Sequence, residues 1–282
     1  MSLKNLTLNS GTVIPHVGLG CYDIPLRSTK DVVKEALNVG YRLFDSAVLY
    51  GNEKEVGEGI SEWLAKSPSH SRSEVLYTTK LWNSQCGYQR AKKAINSCLD
   101  KVSALGYIDL LLIHSPLCGP QERIETWKAM QEAVEEGIVK NIGVSNFGRH
   151  HIEQLLQWEG LKIPPCVNQI EISPWCMRDA LAKWCLQQNI QVEAYAPLTH
   201  GYKLTHPPPG FKPILSKYDI NMGQLLIKWS VQKGYIPLPK TKTVSRLKGN
   251  ISLDFEFTEE EMATIDQPGA YEPTDWECTD AP

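Results

Sequence analysis

Short apolar, β-branched runs alternate with amphipathic segments almost from one end of the chain to the other. Eight of these runs read as strands, over residues 17–21, 41–47, 75–80, 109–115, 141–146, 166–173, 191–198 and 235–240. Between them, apolar positions recur every three to four residues. That period predicts helices over 29–39, 53–65, 89–105, 123–136, 149–158, 178–188 and 221–233. Several strands, such as 110–113, are apolar at consecutive positions, which suits parallel strands covered on both faces. The pattern predicts an α/β fold, a closed (β/α)8 or TIM barrel, with an open doubly wound sheet as the architectural competitor. Residues 6–14, centred on Asn9-Ser10-Gly11, read as a hairpin ahead of the barrel. Residues 205–213, with prolines at 207–209, read as a surface loop, and 267–282 show little periodicity. With no internal repeat and no long linker, residues 1–282 read as one domain.

Composition narrows the function classes. Lys and Arg total 29 against 32 Asp and Glu, a formal charge of −3, so the basic excess that a nucleic-acid partner rewards is missing. No apolar run reaches the roughly 18–20 residues that span a bilayer, so no membrane association is expected. MSLKNLTLNSGTVIPH lacks the basic flank and apolar core of a secretory signal, and a cytoplasmic location is expected. The eight cysteines (21, 86, 98, 118, 166, 176, 185 and 278) show no zinc spacing, and they read as reduced thiols with no metal site.

In a (β/α)8 barrel the working residues stand at the C-terminal ends of the strands. Here those ends carry Asp45 with Tyr50, Lys80 with Trp82, His114, Ser145–Asn146, Gln169–Glu171, Tyr195, and Lys240–Thr243. Taken singly, each has a bland reading: Asp45 and Lys80 as a structural ion pair, Tyr50 as a loop aromatic before Gly51-Asn52, His114 as a core histidine. Taken together they suit carbonyl reduction. A tyrosine, pKa about 10, is a proton donor at neutral pH. A neighbouring Lys80 would favour its phenolate and lower that pKa, Asp45 would hold the lysine charged, and His114 would aim the carbonyl oxygen. The chain has no G-x-G-x-x-G: Gly18-Leu19-Gly20 reaches Asp23 where the third glycine belongs, and Gly57-Glu58-Gly59 reaches Glu62. A phosphate site after the last strand is the barrel's alternative, and Lys240-Thr241-Lys242-Thr243 with Arg246 suits an anion.

Four segments, FDSAVLYGNEKEVGEGI (44–60), LLLIHSP (110–116), GVSNF (143–147) and LPKT (238–241), resemble the aldo-keto reductases, and the resemblance spans essentially the whole chain. It implies a (β/α)8 barrel without a Rossmann domain that binds NADPH, with NADH as a weaker alternative. By that resemblance Tyr50 is the proton donor, Lys80 and Asp45 its tuning pair, and His114 the group orienting the carbonyl. Ser145, Asn146 and Gln169 would hold the nicotinamide carboxamide, and Tyr195 would stack on its ring. Lys240, Thr241, Arg246 and Asn250 would contact the adenosine end, with Lys240 and Arg246 on the 2′-phosphate. Cys21, Tyr22, Asp45, Ala196, Leu198, Lys242 and Thr243 complete the expected cofactor contacts, and Tyr22 and Trp82 join Tyr50 and His114 at the substrate.

His114 stands where steroid double-bond reductases of the family carry glutamate, so carbonyl reduction is implied. Cys21 and Tyr22 replace a common Thr and Trp. Ser115 stands where vertebrate members often have Trp, and Gly249 replaces a frequent adenine-side glutamate. The segment after His114 is short. These departures point to a microbial or yeast-type member with an open pocket. The expected activity is NADPH-dependent reduction of aldehydes, ketones, α-keto esters, diketones or aldoses such as xylose, with hydride from nicotinamide C4 and the proton from Tyr50, in a monomer or weak homodimer. Two rivals stay open at this point: an NADPH-binding sensor or regulatory subunit with negligible turnover, and a barrel hydrolase pairing Asp45 with Glu171.

Overall fold

The computed structural model describes residues 5–282. Eight parallel strands follow one another around it in chain order: β3 (Leu19–Gly20), β4 (Leu43–Asp45), β5 (Leu76–Leu81), β6 (Ile108–Ile113), β7 (Val139–Ser145), β8 (Val167–Glu171), β9 (Gln191–Tyr195) and β10 (Ile236–Pro237). The ring closes between its first and last strands. The Gly18 and Gly20 amides donate to the Pro237 and Pro239 carbonyls, each at 3.1 Å, and Gly20 pairs with Lys240. Closure rules out the open sheet. It also explains the glycines of Gly18-Leu19-Gly20. A Cβ at Gly18 would meet the Leu43 and Leu238 side chains at 2.7 Å, and one at Gly20 the Leu238 carbonyl oxygen at 2.8 Å. These glycines serve the close approach of two strands rather than a phosphate turn.

The hairpin β1 (Leu6–Thr7) and β2 (Val13–Ile14) pairs antiparallel as the Asn-Ser-Gly turn predicts, with Gly11 in the left-handed region at φ +84°. Its Leu8 and Ile14 pack with Leu43, Leu76, Leu110, Val167 and Ile236 at the N-terminal end of the barrel. Ser10 and Thr12 both donate to Asn141 Oδ1, at 2.6 and 2.9 Å. One end of the barrel is thereby plugged, and the opposite end remains for chemistry.

Outside the ring lie α1 (Leu26–Val39), α2 (Glu53–Ala65), α3 (Tyr88–Lys101), α4 (Pro120–Glu135), α5 (Arg149–Leu156) and α6 (Asp179–Gln187), followed by α7 (Phe211–Tyr218), α8 (Met222–Gln232), α9 (Val244–Ile251) and α10 (Glu259–Ile265). Their apolar faces and the outward faces of the strands form one continuous buried layer that includes Trp127 and Trp229. The expected helices are all present with ends moved by a few residues. The 89–105 segment breaks at Lys101 into a separate turn, Ser103–Leu105.

Three helices depart from the sequence reading. The loop assigned to 205–213 is irregular only to Gly210; Phe211 opens α7, and Pro213 lies in its first turn, where a missing N–H costs nothing. Helices α9 and α10 are too short for their period to stand out. Among the described residues no helix is long and apolar enough to cross a membrane. No described cysteine is in a disulfide, and seven of the eight are buried.

Candidate active site

Because all eight strands run the same way, the side chains at their C-terminal ends converge on one mouth. Asp45 ends β4, Lys80 is the penultimate residue of β5, His114 follows β6, Ser145 ends β7, Gln169 lies in β8 and Tyr195 ends β9. Tyr50 arrives on a single turn, Val48–Tyr50, which Gly51 terminates at φ +67°. The next residue fixes that turn: Asn52 accepts from Ser46 Oγ at 2.7 Å and donates to the Cys21 carbonyl at 2.8 Å.

At the centre, Lys80 is fully buried. Its ammonium donates to Asp45 Oδ2 at 2.7 Å, to the Ser46 carbonyl at 2.9 Å and to the Tyr50 hydroxyl at 3.2 Å. The lysine was expected to lower the tyrosine's pKa. Instead burial, with the Asp45 charge second, holds the Tyr50 phenol well above its usual value. The Lys80 charge is already matched by a carboxylate 2.7 Å away, so little of it is left to favour a phenolate. His114 is buried, and burial followed by the Lys80 charge pushes its pKa well below the ordinary imidazole value, so the ring is neutral. Its Nδ1 is buried without a hydrogen-bond partner. The His114 ring stands edge-on to Tyr50 at 5.7 Å and to Trp82 at 5.1 Å between centroids.

Beside this group lies a connected set of amides. Ser145 Oγ donates to the Gln169 carbonyl at 2.9 Å. Asn146, in the left-handed region at φ +61°, donates to the His114 carbonyl at 3.0 Å and to Ser145 Oγ at 3.2 Å, and accepts from the Tyr195 hydroxyl at 2.8 Å. Asparagine is one of the few non-glycine residues that enter this region readily. Gln169 Nε2 donates to Asp45 Oδ1 and to Glu193 Oε2, both at 2.8 Å. Farther out, Lys240 pairs with Asp23 at 2.9 Å, while Lys242 and Arg246 are exposed beside the start of α9, whose N-cap Thr243 makes no side-chain cap.

This constellation can be compared with known proteins. The model of the Aldo/keto reductase family matches residues 16–269. The chain belongs to the aldo/keto reductase family. It is 60% identical over 281 residues to an uncharacterized oxidoreductase of Saccharomyces cerevisiae, covering 99% of each chain. It is 35% identical over 303 residues to the NADPH-dependent D-xylose reductase of Candida boidinii, covering 94% of this chain and 93% of that one. Among solved structures, the Bombyx mori aldo-keto reductase in complex with NADP superposes with a TM-score of 0.85 at 34% identity, covering 94% and 92%.

In this aldo/keto reductase the mouth gathers Asp45, Tyr50, Lys80, His114, Ser145, Asn146, Gln169 and Tyr195, with Tyr22 and Trp82 on its wall. Tyr22 is 47% exposed, and its ring lies 5.1 Å from that of Tyr50. Cys21 points away into the apolar layer, its thiol on the Leu19 carbonyl at 3.7 Å. Ala196 is held at φ +45° and Leu198 is half-buried in the loop after β9. Thr241 is buried and accepts from the Thr243 amide at 3.0 Å. Asn250 is buried. Glu171 is not free for acid–base work: Oε1 accepts from the Thr274 amide and hydroxyl, both at 2.6 Å, and Oε2 from the Asp275 amide at 3.1 Å.

Those bonds tie the C-terminal segment across the reductase mouth. Arg178 adds an ion pair to Glu277 at 2.6 Å, His200 one to Asp275 at 2.9 Å, and Arg123 donates to the Pro282 carbonyl at 3.1 Å. Trp276 is thereby set 5.7 Å from Trp82 and 6.3 Å from His114, ring to ring. The sequence reading missed Trp276 and Glu193. A tryptophan in a stretch without periodicity carries no signal of its position, and a glutamate inside an apolar strand carries only its oddity.

Proposed function

We propose that this aldo/keto reductase reduces aldehydes and ketones to alcohols with NADPH. The observation that carries the reading is the hydrogen-bonded chain Asp45–Lys80–Tyr50, running from the buried ion pair out to a half-buried phenol that is protonated, beside a neutral His114 with an unpartnered ring nitrogen. NADPH would supply the hydride. The chain's own residues handle the oxygen of the substrate. The neutral His114 ring has one N–H with which to hold a carbonyl oxygen, while Tyr50 gives that oxygen its proton as negative charge develops. The phenolate left behind faces an ammonium 3.2 Å away, which Asp45 and the Ser46 carbonyl hold in place. Before transfer the phenol keeps its proton; once the proton leaves, the Lys80 charge is directly opposite the new anion.

The residues present fit the cofactor. Lys240, Lys242 and Arg246 surround a helix start that lacks a side-chain cap, a donor set suited to phosphate. With the amide hydrogens of Asn146 and Gln169 committed to protein acceptors and the Asn146 oxygen already accepting from Tyr195, the Gln169 oxygen is the amide atom left without a partner for a carboxamide N–H. Tyr195 would face the nicotinamide ring, and Lys240 and Arg246 the 2′-phosphate, giving NADPH preference over NADH. The cofactors named for the Candida boidinii and Bombyx mori proteins support this assignment. The aromatic wall of Tyr22, Trp82 and Trp276 favours apolar and aromatic carbonyls over sugars.

The test is NADPH oxidation followed by absorbance with an aromatic aldehyde, an α-keto ester, a diketone and xylose, repeated with NADH. Turnover, fastest on the aromatic aldehyde, is the expected result. NADPH binding without turnover on any of the four would replace the reductase with a cofactor-sensing protein.

A further inference from the structure

Glu193 is buried inside the barrel in mid-β9, where a carboxyl group needs a reason. Its Oε2 accepts from Gln169 Nε2 at 2.8 Å, and its Oε1 is buried with no partner. The same Gln169 nitrogen donates to Asp45 Oδ1 at 2.8 Å. An atom shared between two carboxyl groups, one of them the Asp45 carboxylate whose other oxygen pairs with Lys80, is the amide's NH2 end, and both of its hydrogens are then in use. Only the amide oxygen of Gln169 is left to bond.

We propose that Glu193 is a positioning residue of the reductase site. With Asp45 it fixes the plane of the Gln169 amide and so presents the Gln169 oxygen to the N–H of the nicotinamide carboxamide. One hydrogen bond donated to Asp45 would pin a point and leave the amide free to turn about it; a second, donated to Glu193, fixes its orientation. Glu193 thus acts on the cofactor through Gln169 and touches neither the substrate nor the proton donor. The inference rests on the NADPH reading of the site and adds to it the residue that sets carboxamide recognition.

The test compares Kd values, from quenching of tryptophan fluorescence, for NADPH and for its 3-acetylpyridine analogue, in which a methyl ketone replaces the carboxamide and offers no N–H. The wild type should prefer NADPH by roughly tenfold, the scale of one well-placed hydrogen bond in a desolvated site. Glu193→Met should reduce that preference to about twofold or less, Glu193→Gln, which keeps an acceptor, should restore it, and Gln169→Leu should abolish it. Circular dichroism and the thermal midpoint identify any variant that has not folded, and Glu193→Gln still reads the outcome if Glu193→Met does not. Full preference in Glu193→Met, or its loss in a folded Glu193→Gln, overturns the role of Glu193. If Gln169→Leu abolishes the preference while Glu193→Met retains it, Glu193 is excluded and the cofactor reading stands. Equal affinity of the wild type for both nucleotides overturns the carboxamide contact and the proposal with it.

Discussion

Tyr50→Phe removes one oxygen from the centre of the site and little else. The ring contacts with Tyr22 at 5.1 Å and His114 at 5.7 Å stay. Lys80 keeps Asp45 at 2.7 Å and the Ser46 carbonyl at 2.9 Å, so no buried charge loses its counter-charge. The single hydrogen bond lost, from the Lys80 ammonium to Tyr50 at 3.2 Å, is worth about 1.5–3 kcal/mol of stability. For a chain of this size that moves the thermal midpoint by about 3–12 °C, short of unfolding it at assay temperature. Loss of a positioned general acid, in contrast, costs about 10²–10⁴ in rate, or about 2.7–5.4 kcal/mol of barrier. The expected outcome is kcat for an aromatic aldehyde lowered by at least about a hundredfold, with the NADPH Kd from fluorescence titration within about twofold, because the hydroxyl removed is bonded to Lys80, which is not assigned to the nucleotide. Near-normal turnover would refute Tyr50 as proton donor. A fall in kcat accompanied by a much larger drop in thermal midpoint would mean that the hydroxyl is structural.

Three other outcomes follow from the same geometry. Lys240→Ala with Arg246→Ala should weaken NADPH about tenfold more than NADH, measured by equilibrium titration of both; equal weakening removes the 2′-phosphate assignment. Trp276→Ala should raise KM for an aromatic aldehyde by roughly 2–12-fold, the worth of one aromatic pair, and leave the NADPH Kd unchanged; an unchanged KM would show that the C-terminal segment does not meet substrate. Burial, then the Asp45 charge, raises the Glu193 pKa from 4.5 to about 8. The folded state therefore keeps a proton that the unfolded chain loses above pH 4.5, and stability should fall as pH rises from about 4.5 to 8. Urea midpoints across that range should decline less steeply in Glu193→Gln, and identical pH slopes for variant and wild type would place an ionised carboxylate at 193.

Local sequence was sufficient wherever one segment carries its own signal. Strand β6 is apolar at every position from 110 to 113 because both faces are covered, and Asn9-Ser10-Gly11 turns the hairpin because glycine accepts φ +84°. Once the strands were identified, parallel direction alone brought Asp45, Lys80, His114 and Gln169 to one mouth, since every strand presents the same end there. Packing decided what depends on partners distant in the chain. Gly18 and Gly20 look like half of a nucleotide loop until closure against 237–240 shows that they make room for the last strand. The residues at 274–276 have no period of their own, and partners distant in the chain, among them Glu171, 103 residues earlier than Thr274, set Trp276 beside His114. The electrostatics were decided the same way. The lysine next to Tyr50 predicts a lowered pKa, but its charge is matched by Asp45, so desolvation of the phenol prevails. Periodicity and turn chemistry are local and can be read residue by residue; desolvation and long-range contact are properties of the filled interior, and they exist only after the barrel has closed.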